Sequence, residues 1–421
     1  MKLSNKILAI CMIAFLTACA GNQSSTAFLP NPKPRLQNTE KTIKLERIWS
    51  RSIKGSYKKD IRGFQLSQDD IAIYGATASG DFAAIDKITG KKIWSKDAKT
   101  KLSAGINVGF ENVYLASANG QVLAFNKKSG AKKWQSQLKS EVLIAPVEAE
   151  TITIVRSQDG RIIGLDTETG EQIWGIQREL PNLSLRLDVA PVVSGTIALI
   201  GLSNGQLLAL DAKVGRAIWD LPISLPSGVN ELERMRDIAG QPLVSDATIF
   251  LNSFQGEIVS ISGRDRTVNW SRKISSPLQM AKDSLAIYAT SEDSTIIALD
   301  KRTGNIIWRN SSLFGRGASA PSVIGQYILV FGNAGDMYFY NKNTGNLAGN
   351  FNFPGKRVIG SPLISTDPET GNDIFYALSD KGTVYNYSIE KVVEKKPEEK
   401  KKKKEKKSAK KEKEKKSVEK K

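Results

Sequence analysis

The chain has 421 residues, no histidine and two cysteines, Cys11 and Cys19. That removes histidine general bases, most metal sites, haem attachment and disulfide frameworks. The formal charge of +18 suggests nucleic acid, but residues 391–421 hold 17 Lys and 7 Glu, a net of +10, leaving an unremarkable +8 on the other 390.

At the N-terminus, Lys2 and Lys6 precede the apolar stretch Ile7 to Leu16, which runs into Leu16-Thr17-Ala18-Cys19. Ten apolar residues are too few to span a bilayer, which takes about 20. A charged start, a short apolar core and small residues before a cut site predict an export signal over residues 1–18. The pattern resembles a bacterial lipoprotein signal, which implies cleavage before Cys19 and acylation of Cys19. Several acyl chains make a stable anchor where one would not. Ala20 is not the Asp that retains enteric lipoproteins in the inner membrane, so the resemblance implies the periplasmic face of the outer membrane. Residues 19–42, polar and carrying Pro30, Pro32 and Pro34, predict a flexible tether.

From residue 43 to 390 the chain repeats itself. Seven Trp (Trp49, Trp94, Trp134, Trp174, Trp219, Trp270 and Trp308) are spaced 45, 40, 40, 45, 51 and 38 apart. Fourteen residues before the last six stand Gly80, Gly120, Gly160, Gly205, Gly256 and Ser294. A seventh copy opens at Gly335 with Gly349 in the Trp position, and an eighth opens at Gly382 and reaches the lysine tail before any Trp. Pro146, Pro191, Pro242 and Pro321 lie 14 residues upstream of the following copy, where a residue without an N–H fits a strand start or sheet edge. Each unit thus holds four short strands, A to D. Eight units of about 40 residues predict an all-β, eight-bladed β-propeller of four-stranded antiparallel blades.

The eighth unit lacks its D strand, and the chain begins with an orphan one, Ile43 to Trp49. Pairing it with Thr383 to Ser388 completes blade eight and leaves no open edge where the ring closes. Once-per-unit Trp residues are assigned to packing between blades. Asp86, Asp166, Asp211 and Asp300, each before a turn, are assigned to bonding local backbone rather than metal.

The consensus Ala-x-Asp-x-x-Thr-Gly-x-x-x-Trp is met in full by Ala84 to Trp94 and Ala298 to Trp308, and by Ala209 to Trp219 except at Val214. It resembles the repeat of pyrroloquinoline-quinone-type propellers. A repeat alone does not name an activity. Quinoprotein dehydrogenases, the alternative reading, carry a quinone, calcium, commonly an adjacent cysteine pair, and large insertions; no cysteine follows Cys19 here. Length, lipoprotein start and a tight eight-unit body are similar instead to the BamB-type lipoproteins of the outer-membrane β-barrel assembly (BAM) machinery. That resemblance implies a non-catalytic scaffold without cofactors. Its implied partners are the periplasmic domains of the barrel-forming protein BamA, other members of the complex and unfolded barrel precursors, whose strands would pair with exposed blade edges.

Where the Trp spacing stretches, the extra residues fall in Gly175–Asp188 and Leu221–Gly240, both D-to-A connections. The first holds Leu183-Ser184-Leu185-Arg186, similar to the family's Leu-Ser-Leu-Arg segment, and the resemblance assigns BamA binding to Leu183, Leu185 and Arg186. The second, Asn230 to Asp237, is similar to the family's acidic-and-Arg connection; there the resemblance points to Glu231, Arg234 and Asp237, with Ala239 where a second aspartate is expected. Leucines beside an arginine on a loop suit an interface irrespective of family.

Residues 391–421 are nearly all Lys and Glu, a composition that does not bury enough surface to fold alone. A solubilising extension and a tether to anionic lipid or cell-wall polymer stand as the readings; export argues against nucleic acid.

Overall fold

Two strands in every unit are runs of small and branched apolar residues, such as Ala72–Ala76 and Asp81–Asp86, with buried centres. Strands covered on both faces read as continuous apolar runs rather than alternating ones. The following strand, Lys92–Asp97, exposes most of its residues and buries Trp94, as an outer strand should. In the computed structural model, which describes residues 42–57, 63–187 and 189–391, this grammar yields 32 strands in eight four-stranded sheets. Sheet order follows chain order A-B-C-D in seven of them, and neighbouring strands are antiparallel. The signal stretch, the tether with Cys19 and the lysine-rich tail beyond Lys391 lie outside the described residues.

The eighth sheet runs Val358–Thr366, Asp373–Ser379, Thr383–Lys391 and then Ile43–Ser52 from the other end of the chain. Glu46 faces Ser388 and Ser52 faces Thr383, so the orphan strand completes the blade as expected and runs three residues beyond Trp49. A bulge between Arg47 and Trp49 leaves Ile48 unpaired and exposed. Equivalent bulges precede Trp94, Trp134, Trp174, Trp219, Trp270 and Trp308, the extra residue turning each indole inward.

The indoles join blades. Trp49, Trp94, Trp134, Trp174, Trp270 and Trp308 each donate Nε1–H to a carbonyl in the C–D turn of the next blade, at 2.8–3.2 Å. Each also lies flat on that turn's glycine. At Gly215, φ is +70° and an added Cβ would stand 2.4 Å from Trp174 Cδ2, so both the backbone conformation and the close approach demand glycine. Trp219 makes no such bond: the matching position in the next blade is Arg266, held at φ +61°, and Trp219 stays half-buried.

Gly349 in the seventh copy has a cause of the same kind. The C–D turn it would face does not exist in blade eight, because there the two ends of the chain meet. Ile43 fills the space instead, its Cγ1 3.1 Å from where a Cβ on Gly349 would be, and Thr42 N–H donates to Ala348 O at 2.9 Å.

The turn aspartates bond backbone. Asp86 Oδ1 accepts from the N–H of Ile88 and Thr89 at 3.2 and 2.7 Å, Asp166 Oδ1 from Glu168 and Thr169, both at 2.8 Å. Asp211 and Asp300 repeat the pattern. The Thr89 N–H holds Asp86 below the usual carboxylate range, and the Thr169 N–H does so for Asp166. Asn126 and Asn341 make the same bonds uncharged in two other blades.

Candidate docking surface

Because strands alternate direction, one face of the ring carries the D-to-A connections and B–C turns, the other the A–B and C–D turns. Most D-to-A connections are short, as between Asp97 and Asn107. Two are long: residues 178–191 follow strand Gln172–Gln177, and residues 223–242 follow Arg216–Pro222. Gly175 and Leu221, where the extra residues were expected to begin, still belong to D strands. A third long connection, 53–66, precedes the first Trp-to-Gly frame and is invisible to the spacing argument. Its described residues Ile53, Phe64 and Leu66 are buried in the core, and Tyr57 Oη donates to Ala76 O at 2.7 Å.

The other two connections do the opposite. In the first, Leu183 is 38% exposed, Leu185 is half-buried and Arg186 is exposed in the left-handed region at φ +52°. Ser184 Oγ sets that bend by accepting from Arg186 N–H at 2.9 Å. Arg178 Nη1 pairs with Asp220 at 3.0 Å, tying the roots of the two connections together. Leu180, Leu183 and Arg186 line one side of a cleft of about 210 Å³ whose other side carries Arg156 and Arg161. Arg161 is held by Asp159, and Arg156 Nη1 donates to Val189 O at 2.7 Å.

The second connection opens in a capped turn. Asn230 Oδ1 accepts from Glu233 N–H at 2.9 Å, while Glu233 Oε2 accepts from Val229 N–H at 2.9 Å, a reciprocal arrangement that satisfies orphan donors. Arg236 is buried and spends its guanidinium on Glu233 O, Met235 O and Ser227 at 2.6–3.0 Å. The turn so built holds Glu231 and Arg234 in solvent, 3.9 Å apart.

Asp237 is placed otherwise. It is 1% exposed, and its carboxylate accepts from Ser184 Oγ at 2.5 Å and from Leu185 N–H at 3.3 Å. It therefore joins the two connections rather than facing outward. Ala239 is buried too, its N–H on Asn252 O at 2.9 Å.

The surface holds residues that the motif comparison passes over. Leu180, Leu225, Val229 and Leu232 are all exposed, Val229 to 94%. Their signal was available: each is an apolar residue outside every strand and every Trp register. Buried Trp and buried turn-facing side chains account for the regular units, whereas this apolar group has no cover within the chain. Among the described residues, no group of three or more Cys, Asp or Glu is placed to hold a metal ion.

Comparison with known proteins bears on this surface. The family model described as "Outer membrane protein assembly factor BamB" matches residues 78–310 and 292–395. Proteins of that name from Taylorella asinigenitalis and Pseudomonas aeruginosa are each 35% identical, over 87% and 85% of this chain and 95% and 93% of their own lengths. The Vibrio cholerae protein of that name is 30% identical over 93% of this chain and all of its own. Among solved structures, BamB from Moraxella catarrhalis superposes with a TM-score of 0.73 at 24% identity, covering 82% of this chain and 99% of that one. Quinohemoprotein alcohol dehydrogenase from Comamonas testosteroni gives 0.64 at 13% identity, covering 84% and 78%. Both likenesses are of fold.

Proposed function

The chain belongs to the family of the outer membrane protein assembly factor BamB, and from that membership we propose that it is a non-catalytic scaffold of the BAM complex which docks the periplasmic domains of BamA through connections 178–191 and 223–242. The observation that carries the proposal is the exposed apolar group Leu180, Leu183, Leu225, Val229 and Leu232, set beside Arg186 and Arg234 on two connections locked by Asp237. Exposed apolar residues rimmed by charge mark interaction sites, and arginine supplies a planar fork for a partner's carboxylates or carbonyls. Asp237 and Arg236 act in this reading by pre-ordering the loops, which lowers the entropy lost on docking.

The remaining parts follow the same reading. Residues 1–18 are removed on export, Cys19 carries the lipid at the periplasmic face of the outer membrane, residues 19–42 tether the ring, and precursor strands use the blade edges. A photo-crosslinker at Leu183 or Leu232 should capture BamA, and one at Leu285, exposed on the opposite face, should not. Capture from Leu285 alone would overturn the docking assignment. A quinone enzyme would instead show dye-linked alcohol oxidation after addition of quinone and calcium, which a scaffold lacks.

A further inference from the structure

On the face opposite the docking connections, the A–B and C–D turns of blades two and three enclose a cleft of about 670 Å³. Glu111, Glu148, Glu150, Asp166 and Glu168 line it against one cation, Lys127, whose ammonium is 3.4 Å from Asp69. Lys133 reaches Glu168 at 2.6 Å, but among the described residues no ion pair covers Glu111, Glu148 or Glu150. Glu148 is fixed from below, accepting from Tyr114 Oη at 2.5 Å and from Phe110 N–H at 3.1 Å. Beside it Asn112, 1% exposed, donates through Nδ2 to Tyr114 Oη and Thr167 O while its Oδ1 accepts nothing. Phe110 stands on the rim, 82% exposed.

A buried unpaired acceptor, fixed carboxylates and an uncovered aromatic ring form a site for a lysine side chain. Its ammonium carries three donors and no acceptor, and its four-carbon stem covers apolar surface. Such side chains are supplied by the chain itself. Residues 392–421 carry 16 Lys and 7 Glu, with runs at Lys400 to Lys404 and Lys410 to Lys411. Strand Thr383–Lys391 is the third of its blade, so it delivers the chain onto the face of the C–D turns, which is the face of the cleft. Two blades intervene. The first lysine run begins nine residues after Lys391, within reach of about 30 Å, and the whole segment reaches about 100 Å.

We propose that residues 392–421 fold back onto this cleft, their lysine runs pairing with Glu111, Glu148 and Glu150 over Phe110. The segment then shields the acidic face of blades two and three and leaves the docking connections, on the other face, free.

Carbodiimide coupling of the full-length chain followed by peptide mass spectrometry tests this. Lysines 400–411 should couple to Glu111 and Glu150 in about 50 mM salt, and the products should fade in about 0.5 M salt as exposed pairs are screened. Combining Glu111→Gln, Glu150→Gln and Glu168→Gln should cut the yield about tenfold, the scale for three exposed pairs lost together. Replacing Lys400 to Lys404 by Gln leaves the ring untouched and should have the same effect, which guards against misfolding of the first variant. Couplings scattered over carboxylates elsewhere on the ring, or an unchanged yield in both variants, would overturn the proposal. So would a segment that binds vesicles rich in phosphatidylglycerol and shows no coupling to the cleft in their absence. None of these readouts involves BamA, so the docking proposal and this one fail separately.

Discussion

The C–D turns and the two long D-to-A connections are loops on the same ring, and they solve opposite problems. A C–D turn such as Asp211 to Gly215 is built to be covered: its aspartate closes on its own backbone, its carbonyl takes an indole N–H, and its glycine accepts the ring of Trp174. Connections 178–191 and 223–242 use equally definite bonds, through Asp237, Arg236 and Glu233, to hold leucines and arginines out in water. Order in a loop therefore does not distinguish structure from docking. The distinction lies in whether the apolar side chains that the bonds position are covered within the chain.

Substitutions that break this contrast should separate stability from partner recovery. Trp174→Ala removes a blade-to-blade anchor and should cost about 3–5 kcal/mol in denaturant unfolding. Leu183→Ala should stay within about 0.5 kcal/mol of the parent and still lower recovery of BamA from detergent extracts. Gly215→Ala places a Cβ against Trp174 in the left-handed region and should cost about 2–3 kcal/mol, read in the same unfolding curves.

Asp237→Ala falls between the two classes. It strands the Ser184 hydroxyl and the Leu185 N–H, a loss of about 1–3 kcal/mol. Amide hydrogen exchange over residues 183–187 should quicken and BamA recovery should fall together, whereas Arg186→Ala should reduce recovery with exchange unchanged. Arg266→Gly sharpens the rule from the other side: relieving φ +61° under Trp219 should stabilise the ring by about 0.5–1 kcal/mol.

The smallest effect concerns pH. Asp86, Asp166, Asp300 and Asp367 have folded values depressed by the bonds their carboxylates accept: for Asp86, Asp166 and Asp367 chiefly from a turn N–H, for Asp300 from the Thr303 hydroxyl and N–H. A depressed value means that the charged form is favoured by folding. Stability from these groups is present above the unfolded value near 4 and drains away as pH falls below it. Asp166→Asn should leave neutral-pH stability nearly unchanged, since Asn126 and Asn341 already make the uncharged version, and should flatten the acid side of a melting-temperature profile.

Much of this was legible in the sequence because a repeat states each packing rule several times. Eight blades, the strand order, ring closure by Ile43 to Trp49 and the structural use of the Trp residues all follow from spacing that survives local variation. Spacing also exposed the two long connections, as breaks in an otherwise constant interval. Connection 53–66 escaped, since no earlier copy frames it.

What the tertiary structure decided concerns single partners. Gly349 in place of Trp is unaccountable along the chain and plain once the two chain ends meet where its turn would be. Asp237 reads as one more acidic residue on a charged loop; only the approach of Ser184, 53 positions away in the chain, makes it an internal clamp. The docking segment likewise extends beyond its Leu-Ser-Leu-Arg motif to Leu225, Val229 and Leu232. Hydrophobic periodicity predicts which residues seek cover, but whether cover arrives depends on neighbours brought together by the closed ring.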